Sequence, residues 1–393
     1  MRICHISTFP PAHCGIAYYT KALVDGLHAQ GATKQYILSE PPAETIHSDN
    51  FDCIPCWERN GDYVTSIITE IKKIKPDIAL LQYTNDIFGD DNRFPILLGK
   101  LRKLGVTTIV NPHSVYPPNW KTRFKPGRDS ASFDKAMSEA ASCIMVHSPR
   151  MREDLANRKI DPYKIVVIPH GSLIREPRPR DESRKIIKVP NDAKVVLFFG
   201  FIWLGKGVEF LMDVFGRVAR QVPEAWLYIG GYTRKRVFYT RAYVGSLYAR
   251  AALRGFSKRL SMWGDFVPDD ITPYVYSASD LVAMPYKQDY SSVSGVVHQA
   301  AGFSTPMFCS RISKFDEVRQ SISEQLMADY GDKDAWVDGI TRLLSDDEHY
   351  MQMKKAVDDF AQSTSWENVA RTHLALYEKL LNGKDTLGTP QHG

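Results

Sequence analysis

Residues 280–311 hold a serine- and glycine-rich loop between two apolar segments, a pattern that suits anion binding. Residues 281–286 are predicted to form a buried strand, Gly295 opens a helical segment, and residues 306–310 form the next strand. Free backbone N–H groups and the positive end of a helix dipole then meet near Ser294 and Gly295. Such a place suits a phosphate group. The alternative is an ordinary connection in a parallel sheet, where Ser and Gly only form the turn.

A second candidate for phosphate binding is the loop GFIWLGKG at residues 200–207, between a predicted strand and a predicted helix. It nearly matches the P-loop of nucleotide hydrolases, but Gly207 stands where a magnesium-binding Ser or Thr is needed. Lys206 could still neutralise a diphosphate as a point charge. No dinucleotide-binding G-x-G-x-x-G pattern follows a predicted strand, which disfavours a dehydrogenase.

Glycines and histidines follow several predicted strands, where a parallel sheet binds its ligands. Gly15 follows the first strand, His113 a central one, and His170 the last strand of the N-terminal half. A lone His at a strand end is more often structural than catalytic, and His147 occupies a similar place. The sequence therefore leaves both roles open for His113.

Cys53 and Cys56 have the spacing of a redox or metal-binding pair. No second pair or His cluster completes a zinc site. The pair also does not open a helix that would stabilise a thiolate. We favour two buried thiols without a chemical role.

Residues 232–259 carry eight Lys or Arg and no acid. Arg250, Arg254 and Lys258 fall on one side of a predicted helix whose other side is apolar. A solvated basic face is one explanation. The other two explanations are contact with an anionic membrane surface and contact with a phosphate-bearing acceptor. Nucleic acid is the least favoured partner, because no binding module is recognisable.

Length and composition indicate a globular protein of two domains. The chain has 393 residues, 44% of them hydrophobic and 24% charged, with a formal charge of +5. The first residues lack the apolar core of a secretory signal, and the longest apolar run is about half a membrane span. We therefore expect a cytoplasmic protein, with peripheral contact to the inner face of a membrane left open.

Strands are predicted over residues 78–83, 225–230 and 260–266, among others, with helical segments between the strands. This alternation of strands and helices indicates an α/β fold with doubly wound parallel sheets. Residues 173–192 lose periodicity and gain proline and charge, so they are predicted to be a linker. Two domains of one class, residues 1–172 and 193–364, flank that linker. Residues 365–383 are predicted to form a last helix, and residues 384–393 a frayed tail.

Taken in order, these segments resemble the retaining glycosyltransferases of family 4, which have the GT-B fold. The residues that carry the resemblance are PPAHCGIA around Gly15, NPHSVYP around His113, VIPHG ending at Gly171, GKGVE around Lys206, and SGVV from Ser294. The resemblance implies two Rossmann-like domains facing across a cleft, with the acceptor mainly on the first and a nucleotide-sugar donor mainly on the second. It also implies that the last helix returns to the first domain.

The resemblance further implies a role for individual residues. Lys206 would neutralise the donor diphosphate, His113 would face the transferred sugar, and the main chain near Val267 would contact the base. The other residues implied at the donor are Cys14, Gly15, Gly205, Ser291, Ser294, Gly295 and Gln299. The family commonly has Glu where this chain has Ser291 and Gln299, and Arg where it has Phe201. Gln299 can still bind a ribose hydroxyl.

We therefore expect a sugar transferase that retains anomeric configuration, uses a nucleotide-sugar donor and needs neither metal nor other cofactor. Its acceptor would be a glycan, a glycolipid or another glycoside. The D-x-D pattern at Asp332 and Asp334 precedes a helix and is predicted to be a cap. Two alternatives remain open: a catalytically silent GT-B subunit that binds a glycan or a partner protein, and a P-loop nucleotide hydrolase.

Overall fold

The protein is described by a computed structural model that covers residues 1–32, 34–118, 130–231, 237–287 and 290–385. The chain divides into two compact units. The N-terminal domain contains Met1–Gly171, Tyr290–Val293 and the chain from Thr364 onward, and the C-terminal domain contains the chain between Ser172 and Ser363 without that short insert. Each domain has its own sheet.

The N-terminal domain is built on an eight-stranded sheet. The strands of this half of the chain are β1 (Arg2–Ile6), β2 (Lys34–Ser39), β3 (Ile46–His47), β4 (Phe51–Pro55), β5 (Ile78–Tyr83), β6 (Thr107–Pro112), β7 (Ser114–Val115), β8 (Cys143–Val146) and β9 (Ile165–Val167). The sheet order is β3-β4-β2-β1-β5-β6-β8-β9, and only β3 pairs antiparallel. Strand order reverses between β1 and β5, and ligands of such sheets bind at the carboxyl ends of the strands there.

Helices follow the strands of this domain and bury one apolar face each. They are α1 (Gly15–Ala29), α2 (Tyr63–Ile74), α3 (Asn85–Phe88), α4 (Arg93–Lys103), α5 (Ser130–Ala140) and α6 (Pro149–Ala156). In α1 the residues Tyr19, Leu23 and Leu27 are buried, as their helical spacing predicts. Gly31, with φ +89°, follows the end of this helix.

The C-terminal domain has a six-stranded sheet in which all neighbours are parallel. The strands of this half of the chain are β10 (Lys194–Phe199), β11 (Ala225–Gly230), β12 (Leu260–Met262), β13 (Leu281–Met284), β14 (Ser291–Ser292), β15 (Met307–Ser310) and β16 (Met327–Ala328). The sheet order is β12-β11-β10-β13-β15-β16, so the reversal falls between β10 and β13. The short β14 belongs to the N-terminal domain, where it pairs antiparallel with β7.

The remaining helices complete both domains. They are α7 (Arg180–Ile187), α8 (Val208–Gln221), α9 (Val237–Leu253), α10 (Thr272–Ser277), α11 (Gly295–Gly302), α12 (Asp316–Ser321), α13 (Lys333–Ser345), α14 (Asp347–Ser363) and α15 (Trp366–Asp385). Helix α15 packs on α1 in the N-terminal domain. None of the helices within the described ranges is long and apolar enough to span a bilayer. The predicted α/β fold with two doubly wound sheets is confirmed.

The stretch predicted to be a linker, residues 173–192, contains helix α7 and is packed against the C-terminal domain. Arg184 on this helix is fully buried, and its guanidinium lies 3.1 Å from Asp280. The same carboxylate accepts from the N–H of Val195 at 2.7 Å. The apolar contacts of this helix come from Ile186 and Ile187 at its end, and eight residues are too few for a repeating apolar pattern, so periodicity could not reveal it. Of the predicted tail, the residues beyond Asp385 lie outside the described ranges.

The strand predicted over residues 260–266 is shorter in the structure and ends at Met262. Gly264 follows with φ +60°, a conformation that an extended strand does not have. The residues after Gly264, Val267 among them, therefore belong to the loop that follows β12 at its carboxyl end.

Candidate functional site

The loop from Gly200 to Gly207 follows β10 and carries Lys206. Gly200 has φ +113°, and its N–H donates to the carbonyl of Gly230 at 3.0 Å. Gly207 has φ +65°, and a Cβ placed on it would lie 1.9 Å from the carbonyl oxygen of Pro285. The backbone of Gly205 accepts from the N–H of Lys287 at 3.0 Å. The loop is thereby attached to the segment that follows β13.

Lys206 is partly buried and lies against an aromatic ring. Its Nζ is 3.4 Å from the centroid of the Tyr286 ring, and Tyr286 is itself buried. Burial, and the charge of Lys314 nearby, lower the pKa of Lys206 well below its ordinary value. Within the described part of the chain, Lys206 forms no ion pair. An anion bound at this ammonium would supply the negative charge that the protein does not.

Helix α11 begins at Gly295, beside the loop that carries Lys206. Ser294 is buried in an extended conformation and precedes the helix, whose first N–H groups have no partner within the helix itself. A Cβ placed on Gly200 would lie 3.9 Å from the side chain of Val296, in the first turn of α11. The structure thus brings Lys206, Ser294 and Gly295 to the carboxyl edge of one sheet, at the reversal between β10 and β13.

Two further donor candidates lie on this domain, Gln299 and Val267. Gln299 is exposed on α11, and its Oε1 accepts from the hydroxyl of Tyr276 at 3.1 Å. The two N–H bonds of its amide are the groups it can offer a hydroxyl. Val267 is buried, and the carbonyl of the preceding Phe266 accepts from Trp263 at 3.2 Å. Their predicted contacts with ribose and base stay predictions.

Ser291 belongs to the N-terminal domain, whereas Ser294 and Gly295 belong to the C-terminal domain. It pairs with Val115 through β14 and β7, and its hydroxyl donates to the carboxylate of Asp154. The resemblance placed Ser291 at the donor because the family commonly has a Glu at this position. The structure commits its hydroxyl to Asp154, and a donor contact for this residue stays a prediction.

Gly15 and Cys14 form the start of α1 in the N-terminal domain. Cys14 is the N-cap residue in an extended conformation, and the hydroxyl of Thr8 lies 3.7 Å from its sulfur. A Cβ placed on Gly15 would meet no atom within 4 Å, so space remains above this helix start. The first turn of α1 carries no acidic residue. These features are compatible with an anion near Gly15.

His113 stands at the carboxyl end of β6 in a group of buried polar side chains. Its Nε2 lies 2.8 Å from Oε1 of Gln82, and Nδ2 of Asn111 donates to the same oxygen at 2.8 Å. Nδ2 of Asn111 also lies 3.1 Å from Nε2 of His147, whose Nδ1 is 3.0 Å from the carbonyl of Ile168. The residues of this group lie in β5 and β6 or directly after β6, β8 and β9.

These contacts assign the ring protons. Carbonyl oxygens only accept, so His113 carries its proton on Nε2 and His147 on Nδ1. Burial, with the neighbouring His147, lowers the pKa of His113 well below its ordinary value. His113 is therefore a neutral imidazole, which can accept a hydrogen bond from a sugar hydroxyl through Nδ1 without adding charge.

Tyr19 and Trp366 surround this histidine group, and sequence reasoning did not include them in the site. The Tyr19 ring centroid lies 4.9 Å from that of His113, 5.2 Å from His147 and 5.1 Å from Trp366. A Cβ on Gly171 would lie 2.2 Å from the Trp366 ring, which explains the glycine after β9. Tyr19 and Trp366 looked like core residues of amphipathic helices, and no sequence signal separates the two roles.

The predicted basic face lies on α9 and is partly neutralised. Arg250 and Arg254 both contact the Asp213 carboxylate, at 3.0 and 3.1 Å, and Lys333 contacts it at 3.0 Å. Leu253, between the two arginines, is 86% exposed. The residues of this basic stretch from 232 to 236 lie outside the described ranges. Three cations thus share one carboxylate beside an exposed apolar side chain.

The remaining sequence candidates have structural roles. Burial raises the pKa of the Cys53 thiol to about 11 and of the Cys56 thiol to about 12, which keeps both protonated. Asp332 accepts from the N–H of Ala335 at 3.0 Å and caps α13, so the predicted cap is confirmed. Among the residues that the structure describes, no group of three or more His, Cys, Asp or Glu is placed to hold a metal ion.

Comparison with known families matches both domains. The family model described as Glycosyltransferase Family 4 matches residues 14–172, and the model described as Glycosyl transferases group 1 matches residues 193–346. The two matches follow one another and together cover most of the chain. The chain belongs to glycosyltransferase family 4.

Curated relatives of this family 4 member include D-inositol 3-phosphate glycosyltransferases. That of Corynebacterium urealyticum is 26% identical over 225 residues, which are 55% of this chain and 51% of the relative. That of Corynebacterium glutamicum is 24% identical over 269 residues, 66% of this chain and 62% of the relative. The alignments thus span between half and two thirds of the relatives' length.

Solved structures confirm the GT-B fold of this family 4 chain. Sucrose-phosphate synthase from Thermosynechococcus elongatus superposes with a TM-score of 0.76 at 18% identity, covering 98% of this chain and 100% of that one. Anabaena HepE in complex with UDP and glucose superposes with a TM-score of 0.73 at 13% identity, covering 96% and 100%. At these identities the likeness establishes the fold alone.

Proposed function

We propose that this family 4 chain transfers a sugar from a nucleotide diphosphate donor to an acceptor hydroxyl, with retention of anomeric configuration. The observation that carries the proposal is that the loop of Lys206 and the start of α11 lie at one sheet edge. An ammonium that is partly buried, that forms no ion pair with any of the described residues, and that lies at the same sheet edge as a helix start is suited to a diphosphate.

The reaction can be written with its bonds balanced. The bond between the anomeric carbon and the β-phosphate oxygen breaks, and its electron pair stays on the phosphate. The acceptor oxygen bonds to the same face of the carbon, and its proton passes to the departing phosphate. Negative charge therefore grows on the diphosphate while the sugar becomes cation-like. Fixed positive groups at Lys206 and the α11 start lower the energy of that state.

His113 is proposed to contact the transferred sugar from the N-terminal domain. A neutral imidazole held by Gln82 at 2.8 Å can accept from a sugar hydroxyl and fix its position. Gly15, at the start of α1, is proposed to approach the donor phosphates.

The donor and acceptor classes are also proposals. HepE binds UDP and glucose, so we propose a uridine diphosphate sugar as the first donor to test. The curated relatives named for D-inositol 3-phosphate suggest a polyol, and glycans or glycolipids are the other acceptor classes to compare. We propose that neither metal nor other cofactor is required, because Lys206 can supply the charge at the diphosphate.

Peripheral contact with an anionic membrane is proposed for helix α9. Asp213 offsets one of the three positive charges around it, and Leu253 stands exposed beside them. Basic residues next to an exposed apolar side chain suit a surface of anionic lipid, which attracts each cation by about 1 kcal/mol. A phosphate-bearing acceptor is the competing occupant of this face.

The test begins with thermal unfolding of the purified chain in the presence of UDP, GDP and ADP. A diphosphate that binds at a hundred times its dissociation constant adds roughly 2.7 kcal/mol of stability. Its sugar conjugate is then supplied with and without EDTA, and release of diphosphate and transfer are measured. Turnover that persists in EDTA supports the proposal. Binding without any turnover indicates a silent subunit, and activity lost to EDTA contradicts the metal-free mechanism.

A further inference from the structure

A series of hydrogen bonds runs from a backbone carbonyl to His113 within the N-terminal domain. The carbonyl of Ile168 accepts from Nδ1 of His147 at 3.0 Å. Nδ2 of Asn111 lies 3.1 Å from Nε2 of His147 and 2.8 Å from Oε1 of Gln82. The same oxygen of Gln82 lies 2.8 Å from Nε2 of His113. Three side chains therefore connect Ile168 to His113, and Gln82 is the last of them.

Only one direction of donation satisfies every bond in this series. A backbone carbonyl can only accept, so His147 carries its proton on Nδ1 and offers the lone pair of Nε2. An amide nitrogen can only donate, so Asn111 donates to that lone pair and to Gln82. The carbonyl oxygen of Gln82 then requires the proton of His113 to be on Nε2. Nδ1 of His113 keeps its lone pair, and none of the hydrogen bonds among the described residues engages it.

Gln82 carries an amide group that the protein uses only in part. The residue is fully buried, and its Nε2 donates to no protein atom within the described part of the chain. A buried N–H group without a partner costs free energy. A Glu of the same shape would accept both bonds and carry no such group. Its carboxylate would, however, favour the imidazolium form of His113, in which Nδ1 donates instead of accepting.

The surroundings of His113 agree with a neutral ring. Its imidazole has ring contacts with Tyr19 of α1 and with His147 after β8, at centroid distances of 4.9 and 5.2 Å. No carboxylate among the described residues forms a hydrogen bond or an ion pair with it. Burial, with His147 nearby, lowers the pKa of His113 well below its ordinary value. The series of hydrogen bonds thus ends in a neutral acceptor.

We propose that Gln82 is a positioning residue that makes His113 select a free hydroxyl group on the transferred sugar. The inference rests on the proposed function, in which His113 contacts that sugar. A hydroxyl donates to the lone pair of Nδ1. A fluorine atom, an ether oxygen or a carboxylate at the same place has no hydrogen to donate and faces that lone pair with its own. Sugars that present such a group there are rejected, because the buried acceptor is left unpaired.

The first measurement locates the proton of His113 and needs no substrate. Nitrogen NMR shifts of isotopically labelled histidine distinguish a protonated from an unprotonated ring nitrogen, and the signals of His113 are those lost in His113→Gln. In the wild-type chain at neutral pH, Nε2 should be protonated and Nδ1 should not. Gln82→Glu should protonate both nitrogens, because the carboxylate stabilises the imidazolium. Unfolding midpoints of all variants are measured alongside.

A second variant and a matched control complete this measurement. In Asn111→Asp the new carboxylate accepts where Asn111 donates, so the Gln82 amide turns over and donates to Nε2 of His113, whose proton moves to Nδ1. Gln35→Glu is the control, because Gln35 is also fully buried and its Oε1 lies 3.0 Å from Nε2 of another histidine, His5. This control should leave the signals of His113 unchanged.

The second measurement compares sugar donors. The sugar conjugate of the nucleoside diphosphate that stabilises the chain is compared with a set of analogues, in each of which fluorine replaces one hydroxyl, and dissociation constants are measured. The wild-type chain should bind one analogue about tenfold or more weakly than the parent sugar. In Gln82→Glu and in Asn111→Asp that difference should largely disappear, because Nδ1 of His113 then donates. Gln35→Glu should keep the wild-type pattern.

Four results would overturn the proposal. A wild-type chain with the proton on Nδ1 of His113 would contradict the direction of donation. Unchanged signals of His113 in folded Gln82→Glu and Asn111→Asp would show that Gln82 does not set the proton. Equal binding of every fluorinated analogue by the wild type would remove the selection of a hydroxyl and keep the proposed function. Failure to bind any nucleotide sugar would remove the proposed function and this proposal together.

Discussion

The ammonium of Lys206 lies 3.4 Å from the centroid of the Tyr286 ring. Such a cation–π contact holds the lysine in place without neutralising its charge, unlike an ion pair with a carboxylate. The charge therefore remains available to a phosphate. Gly207, which follows, approaches the Pro285 carbonyl so closely that no side chain fits, and this fixes the loop on the other side of the lysine.

Replacing Lys206 with Ala should lower turnover by roughly two orders of magnitude, on the scale of losing one transition-state donor. The measurement is kcat with the nucleotide sugar identified by screening, alongside the unfolding midpoint. Lys287→Ala, an exposed lysine after β13, is the matched control and should keep most of the activity. Turnover equal to wild type in Lys206→Ala would remove this residue from the mechanism.

Replacing Gly207 with Ser introduces the hydroxyl that a P-loop would need. The variant therefore distinguishes the transferase hypothesis from the nucleotide hydrolase hypothesis. The new Cβ would lie 1.9 Å from the Pro285 carbonyl at φ +65°, so we expect destabilisation on the order of 1–3 kcal/mol. We also expect no gain in magnesium-dependent hydrolysis. Gly245→Ser, exposed on α9 with no atom near its Cβ, should be tolerated.

The same variant can contradict this expectation. A Gly207→Ser protein that stays as stable as the Gly245→Ser protein, and that hydrolyses a nucleoside triphosphate faster when magnesium is added, would support the P-loop hydrolase instead.

Buried histidines of the N-terminal domain should make the protein sensitive to acid. Burial lowers the pKa of His5 to about 4 and of His373 to about 3, and the pKa of His113 also falls well below 6.5. Below pH 6.5 the unfolded chain takes up protons that the folded chain does not, so stability is lost as pH falls. Each group contributes up to about 1.4 kcal/mol per pH unit.

The measurement is urea unfolding at a series of pH values between 7 and 4.5. Replacing His5 with Gln removes one of these titrating groups, and a Gln at this place can still face Gln35, which His5 contacts at 3.0 Å. The variant should therefore lose stability less steeply below pH 6.5. The same steepness in both proteins would show that His5 does not contribute.

Replacing Arg250, Arg254 and Lys258 with Gln should weaken binding to vesicles that contain anionic lipid. The loss should be greatest at low salt, because screening already weakens surface attraction at high salt. Sedimentation of the protein with vesicles of anionic and of neutral lipid measures the effect. Transfer to a phosphate-bearing acceptor is measured in parallel. A loss of transfer without a loss of vesicle binding would indicate that this face binds the acceptor.

Lys72, Lys73 and Lys75, all exposed at the end of α2, provide a control with the same loss of charge in the other domain. Replacing these three with Gln should leave vesicle binding unchanged. Equal vesicle binding by the α9 variant and the wild type would indicate that the basic residues of α9 form an ordinary solvated face.

Much of the fold could be predicted from the sequence, because local patterns carry it. The strand predicted over residues 78–83 coincides with β5, and the strand predicted over 225–230 coincides with β11. Buried parallel strands are short apolar runs bounded by turns, and such runs can be recognised in the sequence without knowing which strand they pair with. Helix α7 was not predicted, because its large buried side chains, Arg184 and Ile187, form no repeating apolar pattern over eight residues.

The sequence by itself determined the two doubly wound sheets, the family and the candidates Lys206, Ser294 and Gly295, because each depends on residue types close together in the chain. Only the tertiary structure decided which distant residues join them. Sheet order brings Phe315 to Tyr286, and the pairing of β14 with β7 takes Ser291 to Asp154. Strand order and side-chain packing arise from contacts between distant segments, and no local pattern records them.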